Sequence, residues 1–189
     1  MPPGRHQVMN DDEFWAFCAR DRKRRVERRA SGEIFFTANP GLETSYRSAV
    51  LGAQLDAWSK MDGRGYAFAA YAGYFLPDGA ALAPYASWVL KSRVERLTRK
   101  QKRQFAPLCP DFVVELTSPA DPVETMQAKM REWMENGASL SWLIDADNRT
   151  VYVYRPGQDP EELAGVDHVD GEGPVAGFRL ELTDIWEGL

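Results

Sequence analysis

Along Cys109 to Leu143 the spacing of hydrophobic and polar positions changes period twice. Residues 112 to 116, Phe-Val-Val-Glu-Leu, form an apolar run broken by one acid, Glu115. Its length and flanking turn formers predict a strand buried on both faces. Ser118, Pro119, Asp121 and Pro122 stop that strand, and Asp121-Pro122 reads as the N-cap and first turn of a helix. Val123, Met126, Met130, Trp133, Met134 and Gly137 then recur at spacings of three and four, an amphipathic helix closed by Gly137. Ser139 to Asp145 and Thr150 to Arg155 are β-rich runs joined by Ala-Asp-Asn-Arg, so a hairpin follows.

Upstream, Asn10 or Asp11 caps a predicted helix through Phe14, Trp15, Phe17 and Cys18, making residues 1–20 an N-terminal helix or arm. Val26 to Arg29, the turn Ser31-Gly32 and Glu33 to Phe36 read as a strand pair. Tyr46, Ala49, Val50, Ala53, Leu55 and Trp58 mark a helix from Glu43 to about Met61, ended by Gly63-Arg64-Gly65. Tyr66 to Leu76 and Ala80 to Leu90 flank Pro77-Asp78-Gly79 and are expected to pair as antiparallel strands. Lys91 to Phe105 is expected to be a polar, basic surface helix. Val175 to Leu182 supplies a last strand, with Thr183 or Asp184 capping a terminal turn that carries Trp186. The order implies one α/β (α+β) domain over residues 1–189, a mixed β-sheet with flanking helices.

Composition narrows the chemistry. At 189 residues and 44% hydrophobic content the chain can bury a substantial core, and it has no apolar run long enough to span a membrane. The start, MPPGRHQVMNDDEF, has no hydrophobic signal segment, so a cytoplasmic location is expected. Cys18 and Cys109 are too few for a disulfide framework. The histidines, His6 and His168, leave His-rich zinc sites and Ser-His-Asp hydrolases without support. Any reaction must run on carboxylates, lysine and a hydrated metal. The net charge of -5 conceals segregation: residues 20 to 29 hold seven Arg or Lys against Asp21 and Glu27, and residues 91 to 103 hold seven against Glu95. Such runs are either solvated faces or contacts for a phosphate backbone.

Glu115 is the anomaly, since a buried, unpaired carboxylate is costly and must neutralise or find a cation. Two readings stand. Glu115 reaches solvent or an arginine at the strand end, or it is a divalent-metal ligand at the sheet edge supported by Lys129. On a helical wheel Lys129 borders the apolar stripe, so its stem can pack while its ammonium reaches over the sheet.

Glu27-Arg-Arg-Ala-Ser-Gly-Glu-Ile, Pro84-Tyr-Ala-Ser-Trp, Leu108 to Pro119, Gln127-Ala-Lys-Met, and Asn136-Gly followed by Trp142-Leu-Ile-Asp carry a resemblance. From about Glu27 to Trp186 the chain resembles the Uma-two type restriction endonucleases of the PD-(D/E)XK nuclease superfamily. The resemblance implies a restriction-endonuclease-like core and a Mg²⁺- or Mn²⁺-dependent endonuclease that hydrolyses DNA phosphodiester bonds. It implies a Pro-Asp pair at one strand end, a Glu in the next strand and a Lys on the following helix; Glu115 and Lys129 match the last two. Where relatives carry Pro-Asp this chain has Pro84-Tyr85. A phenol is a poor ligand for a hard cation. Pro110-Asp111 cannot substitute, because four residues along a strand span about 13 Å, and Asp78 is explained by its turn. The family's N-terminal acid is matched by Glu27, with Glu43 the alternative; either can equally be structural.

Two functions follow: an endonuclease weakened by Tyr85, or a catalytically degraded nuclease-fold protein kept as a DNA-binding or protein-interaction module. A plain structural oligomer is the third reading, and a homodimer is compatible with any of them. DNA contacts are expected through Arg93, Arg96, Arg99, Lys100 and Arg103, with Arg24, Arg25 and Arg28 as partners.

Overall fold

The computed structural model describes residues 9–20, 25–37, 39–118 and 122–189. Helix α1 (Asp11–Arg20) opens on a reciprocal cap: the Glu13 N–H donates to Asn10 Oδ1 at 3.0 Å and the Asn10 N–H to the Glu13 carboxylate at 2.9 Å. The chain then forms an antiparallel hairpin, β1 (Arg25–Arg28) and β2 (Ile34–Thr37), followed by α2 (Leu42–Asp62). Gly63, at φ 73°, ends α2 by returning its N–H to the Ser59 carbonyl, a conformation that favours glycine.

The aromatic runs about Pro77-Asp78-Gly79 pair antiparallel, but in two pieces. Strand β3 (Gly65–Ala69) belongs with β6 (Ala86–Leu90), whereas β4 (Tyr74–Phe75) belongs with β5 (Ala81–Leu82). One run breaks near Tyr71, which has φ 77°, and the other at Ala83-Pro84, where proline has no N–H for a ladder.

The basic stretch that follows is not the single helix expected from its composition. Helix α3 (Lys91–Glu95) stops early, and a 3-10 turn occupies Gln101–Arg103. Thr98 is the cause: its N–H and hydroxyl donate to Gln101 Oε1 at 2.9 and 3.0 Å, while the Gln101 N–H returns to the Thr98 hydroxyl at 3.3 Å. That is a capping box, and it starts a new turn instead of prolonging the old one.

Strand β7 (Phe112–Leu116), helix α4 (Val123–Glu135) and the hairpin β8 (Leu140–Asp145) and β9 (Thr150–Tyr154) follow the expected order. Pro122 is the N-cap of α4, and the expected cap Asp121 lies outside the described residues. Beyond them come β10 (Glu161–Ala164), β11 (His168–Asp170), β12 (Arg179–Glu181) and α5 (Thr183–Glu187). The run at Val175 to Leu182 thus yields a short strand, paired with β11 in a separate ribbon.

The principal sheet has the order β10-β9-β8-β7-β6-β3, with β7 and β8 parallel and their crossover made by α4. The sheet β2-β1-β5-β4 carries the N-terminal hairpin. Alternation along β7 divides the core. Phe112, Val114 and Leu116 pack with Leu51 and Leu55 of α2, Trp142 and Phe178 on one side. Val113 packs with Met126, Met130 and Trp133 of α4 on the other. Glu115, two residues from Val113, therefore faces α4. No helix of the described residues is long and apolar enough to cross a membrane.

Candidate active site

Glu115 is fully buried, and its neutralising charge comes from the helix over it. Lys129 Nζ lies 2.9 Å from Glu115 Oε1, and Trp133, one helical turn further along α4, donates its indole N–H to the same oxygen at 3.1 Å. The ammonium also donates to Glu27 Oε1 at 2.9 Å, so one cation joins two carboxylates carried by different sheets. Glu27, itself buried, accepts further from the Ala83 N–H at 2.8 Å and from Arg25 Nη2 at 3.3 Å. The Ala83 bond ties β1 to the loop that presents Pro84-Tyr85.

Glu27, Glu115, Lys129 and Arg25 line a cavity of about 280 Å³ with Tyr85, Phe35, Met126 and Glu132. Burial, reinforced by the nearby Asp78 charge, pushes Glu132 above the ordinary carboxylate range. Tyr85 is buried, its N–H held by the Val114 carbonyl at 3.1 Å. Arg25 stacks its guanidinium 5.4 Å from the Tyr85 ring centroid and 5.4 Å from that of Tyr71. Glu27, Glu115, Lys129 and Arg25 thus meet in one cavity, with Arg29 and Glu132 also on its wall.

The donor set tests whether the divalent ion implied by the nuclease resemblance fits. Glu115 Oε2 is buried with no hydrogen-bond partner among the described residues. Mg²⁺ is commonly held by one or two carboxylates, with water and substrate phosphate completing its shell. Glu115 and Glu27 fit that pattern. They do not make a three-acid cradle, and the described residues contain no cluster of three potential acidic, His or Cys ligands.

The other residues singled out from the sequence lie elsewhere. Glu43 accepts from Arg47 at 2.9 Å, and Arg47 also pairs with Asp147 at 3.5 Å; neither it nor Asp78 lines the cavity. Asp111 accepts from the Leu90 N–H at 2.8 Å and pairs with Arg93 at 2.6 Å. Arg93 also donates to the Cys109 carbonyl at 2.9 Å, so its guanidinium is engaged as a tie within the fold. Arg28 is likewise tied, being buried and bonded to the carbonyls of Gly79 and Met9 and to Asp11. Lys100 pairs with Asp12 at the surface, at 2.9 Å. Arg96, Arg99 and Arg103 are exposed and make no ion pair among the described residues. Arg24 lies outside the described residues.

The sequence reading places Trp133 only on the apolar face of its helix and Arg25 only among the DNA contacts, not in this cleft. Trp133 is readable as a site residue, because it lies one helical turn beyond Lys129 and so shares its face. No local pattern marks Arg25 among its basic neighbours.

A carboxylate in a buried strand, a lysine from the crossover helix and a second acid thus share one cleft of a mixed sheet flanked by helices. The family described as "Putative restriction endonuclease", Uma2, matches residues 11–183, and the chain belongs to that family. A solved structure from Anabaena variabilis, described as "a putative nuclease belonging to DUF820", superposes with a TM-score of 0.78 at 22% identity, covering 95% of this chain and 98% of that one. It is similar in fold. No curated protein matches the sequence.

Proposed function

We propose that the protein is a metal-dependent endonuclease acting on DNA, with a site reduced to Glu27, Glu115 and Lys129. The observation that carries this reading is the convergence of Lys129 on both carboxylates at 2.9 Å. Glu115 and Glu27 would hold Mg²⁺ or Mn²⁺, which supplies Lewis acidity to the scissile phosphate and the attacking water. Lys129 orients that water or neutralises charge developing on the phosphate oxygens. Trp133 fixes the Glu115 carboxylate by its indole N–H, and Ala83 and Arg25 fix Glu27, so neither acid has to reorganise when substrate enters.

Tyr85 favours a second reading, in which binding survives and cleavage is lost. Tyr85 lines the cavity with both acids, at the chain position where the family resemblance implies an aspartate. The two readings separate in Mn²⁺-dependent cleavage of plasmid DNA by wild type, by Glu115→Ala, by Tyr85→Asp, and by Tyr85→Asp combined with Glu115→Ala. Wild-type cleavage abolished by Glu115→Ala supports the endonuclease. An inactive wild type, activated by Tyr85→Asp and silenced again in the double variant, supports the degraded form. Cleavage that survives Glu115→Ala overturns both.

A further inference from the structure

Beyond the candidate active site lies a larger cavity, about 540 Å³, between β3 and the stretch from Val94 to Leu108. β3 is the outer strand of the principal sheet. The walls are rings from three parts of the chain: Tyr66 and Phe68 of β3, Tyr71 of the turn after it, and Phe105. Lys102 and Arg103 are the cations of the lining, against one exposed acid, Glu95; both cations are exposed, and neither makes an ion pair among the described residues. Gln101 and Gln104 add side-chain amides.

Three details make this more than an apolar hollow. Phe105 lies directly against Gly73, where a Cβ would come within 2.2 Å of the ring, so glycine allows the aromatic wall to approach the backbone. Tyr71 adopts φ 77°, strained for a bulky side chain, and leaves its ring 55% exposed at the cavity. Its other contact is Arg25, the same guanidinium that stacks on Tyr85 and pairs with Glu27. Tyr71 therefore connects this cavity, through Arg25, to the proposed catalytic cleft.

Exposed rings beside cations are the means by which proteins hold unstacked nucleobases: the ring faces stack on the base and the cations meet its phosphate. The volume is in the range of small-ligand pockets and admits one nucleotide. A base paired in a duplex is stacked on its neighbours and offers no face to these rings. We infer that this cavity receives one unstacked base of a nucleic-acid strand whose backbone runs past Lys102 and Arg103 towards Arg25. The inference rests on the proposed nuclease reading and refines it: the substrate is a single strand, or a duplex with an unpaired nucleotide.

The test is binding of the full chain to short oligothymidylate carrying one 2-aminopurine, and to the same strand annealed, both in EDTA so that no cleavage intervenes. Tyr71→Asn removes the ring yet tolerates a positive φ, and Tyr71→Phe retains the ring; circular dichroism verifies that each is folded. The single strand should bind at least about tenfold more tightly than the duplex, with 2-aminopurine quenched, and Tyr71→Asn should cost about tenfold while Tyr71→Phe costs little. Lys102→Glu with Arg103→Glu should lower the slope of log affinity for the single strand against log salt by about 1.4, if each cation loses one phosphate. Equal affinity for duplex and single strand, full binding by Tyr71→Asn, or binding of thymidine monophosphate as tight as that of the oligonucleotide would each overturn the inference. A protein that cleaves duplex DNA with Mn²⁺ but binds no single strand loses this site and keeps its nuclease assignment. One that never cleaves but binds through Tyr71 does the reverse.

Discussion

Lys129 and Trp133 stand one turn apart on α4 and meet the same atom, Oε1 of Glu115, at 2.9 and 3.1 Å. The lysine also spans to Glu27, so removing it leaves two buried carboxylates without their common cation. Lys129→Met should therefore destabilise the protein by about 3–5 kcal/mol, read by urea denaturation. Adding Glu115→Gln, whose amide oxygen still accepts from Trp133, should recover part of that loss. Strict additivity of the two substitutions would mean that the ion pair is not what holds this region together.

Tyr85→Asp exchanges a buried ring for a carboxylate facing Arg25. The lost packing should cost about 2–4 kcal/mol of stability, while Mn²⁺ affinity in titration calorimetry rises because a third acid joins Glu27 and Glu115. Unchanged affinity would show that position 85 does not reach the ion.

Arg93 and Arg99 lie in the same basic stretch and should respond oppositely. Arg93→Ala strands Asp111 and should lower stability by about 1–3 kcal/mol with little effect on the salt dependence of DNA binding. Arg99→Glu should leave the melting temperature nearly unchanged and reduce the salt slope by about 0.9 if it loses one phosphate. A reduced slope for Arg93→Ala in a fully stable protein would contradict its assignment as a structural tie.

Burial pushes the Cys109 thiol up to about 12, against a partial pull in the other direction from Arg93. The folded state thus keeps a proton that the unfolded chain releases near the ordinary value of 9.0. Its contribution to stability is present below that value and is lost as pH rises from there towards about 12. Cys109→Ala should show a shallower decline across the same alkaline window, measured by denaturation at successive pH values. Tyr74, shifted upward chiefly by its own burial and further by the Cys109 charge, titrates in the same range, so the difference between the two proteins reports the interacting Cys109-Tyr74 pair.

Much of the route to the site was readable along the chain. Strand β7, helix α4 and the β8-β9 hairpin declare themselves because side-chain alternation and helical periodicity are local consequences of backbone geometry. An acid inside an apolar strand, as at Glu115, is likewise visible as a charge that needs a partner. The Thr98 to Gln101 capping box was also present in the sequence, and its spacing is the signal that the basic stretch is not one helix. Other choices belong to the tertiary structure. Glu27 and Glu43 are both acids near the start of a predicted element, yet the pairing of β1 with β5 brings Glu27 to the Ala83 N–H across 56 residues of chain, while Glu43 is left beside Arg47. Arg28 and Arg93 read like their basic neighbours until burial and particular partners tie them down, and Arg96 and Arg99 are left exposed. Charge, period and turn chemistry are written residue by residue, but which charges share a cavity depends on strand pairing and helix crossover, and these are decided by burying both faces of the principal sheet at once.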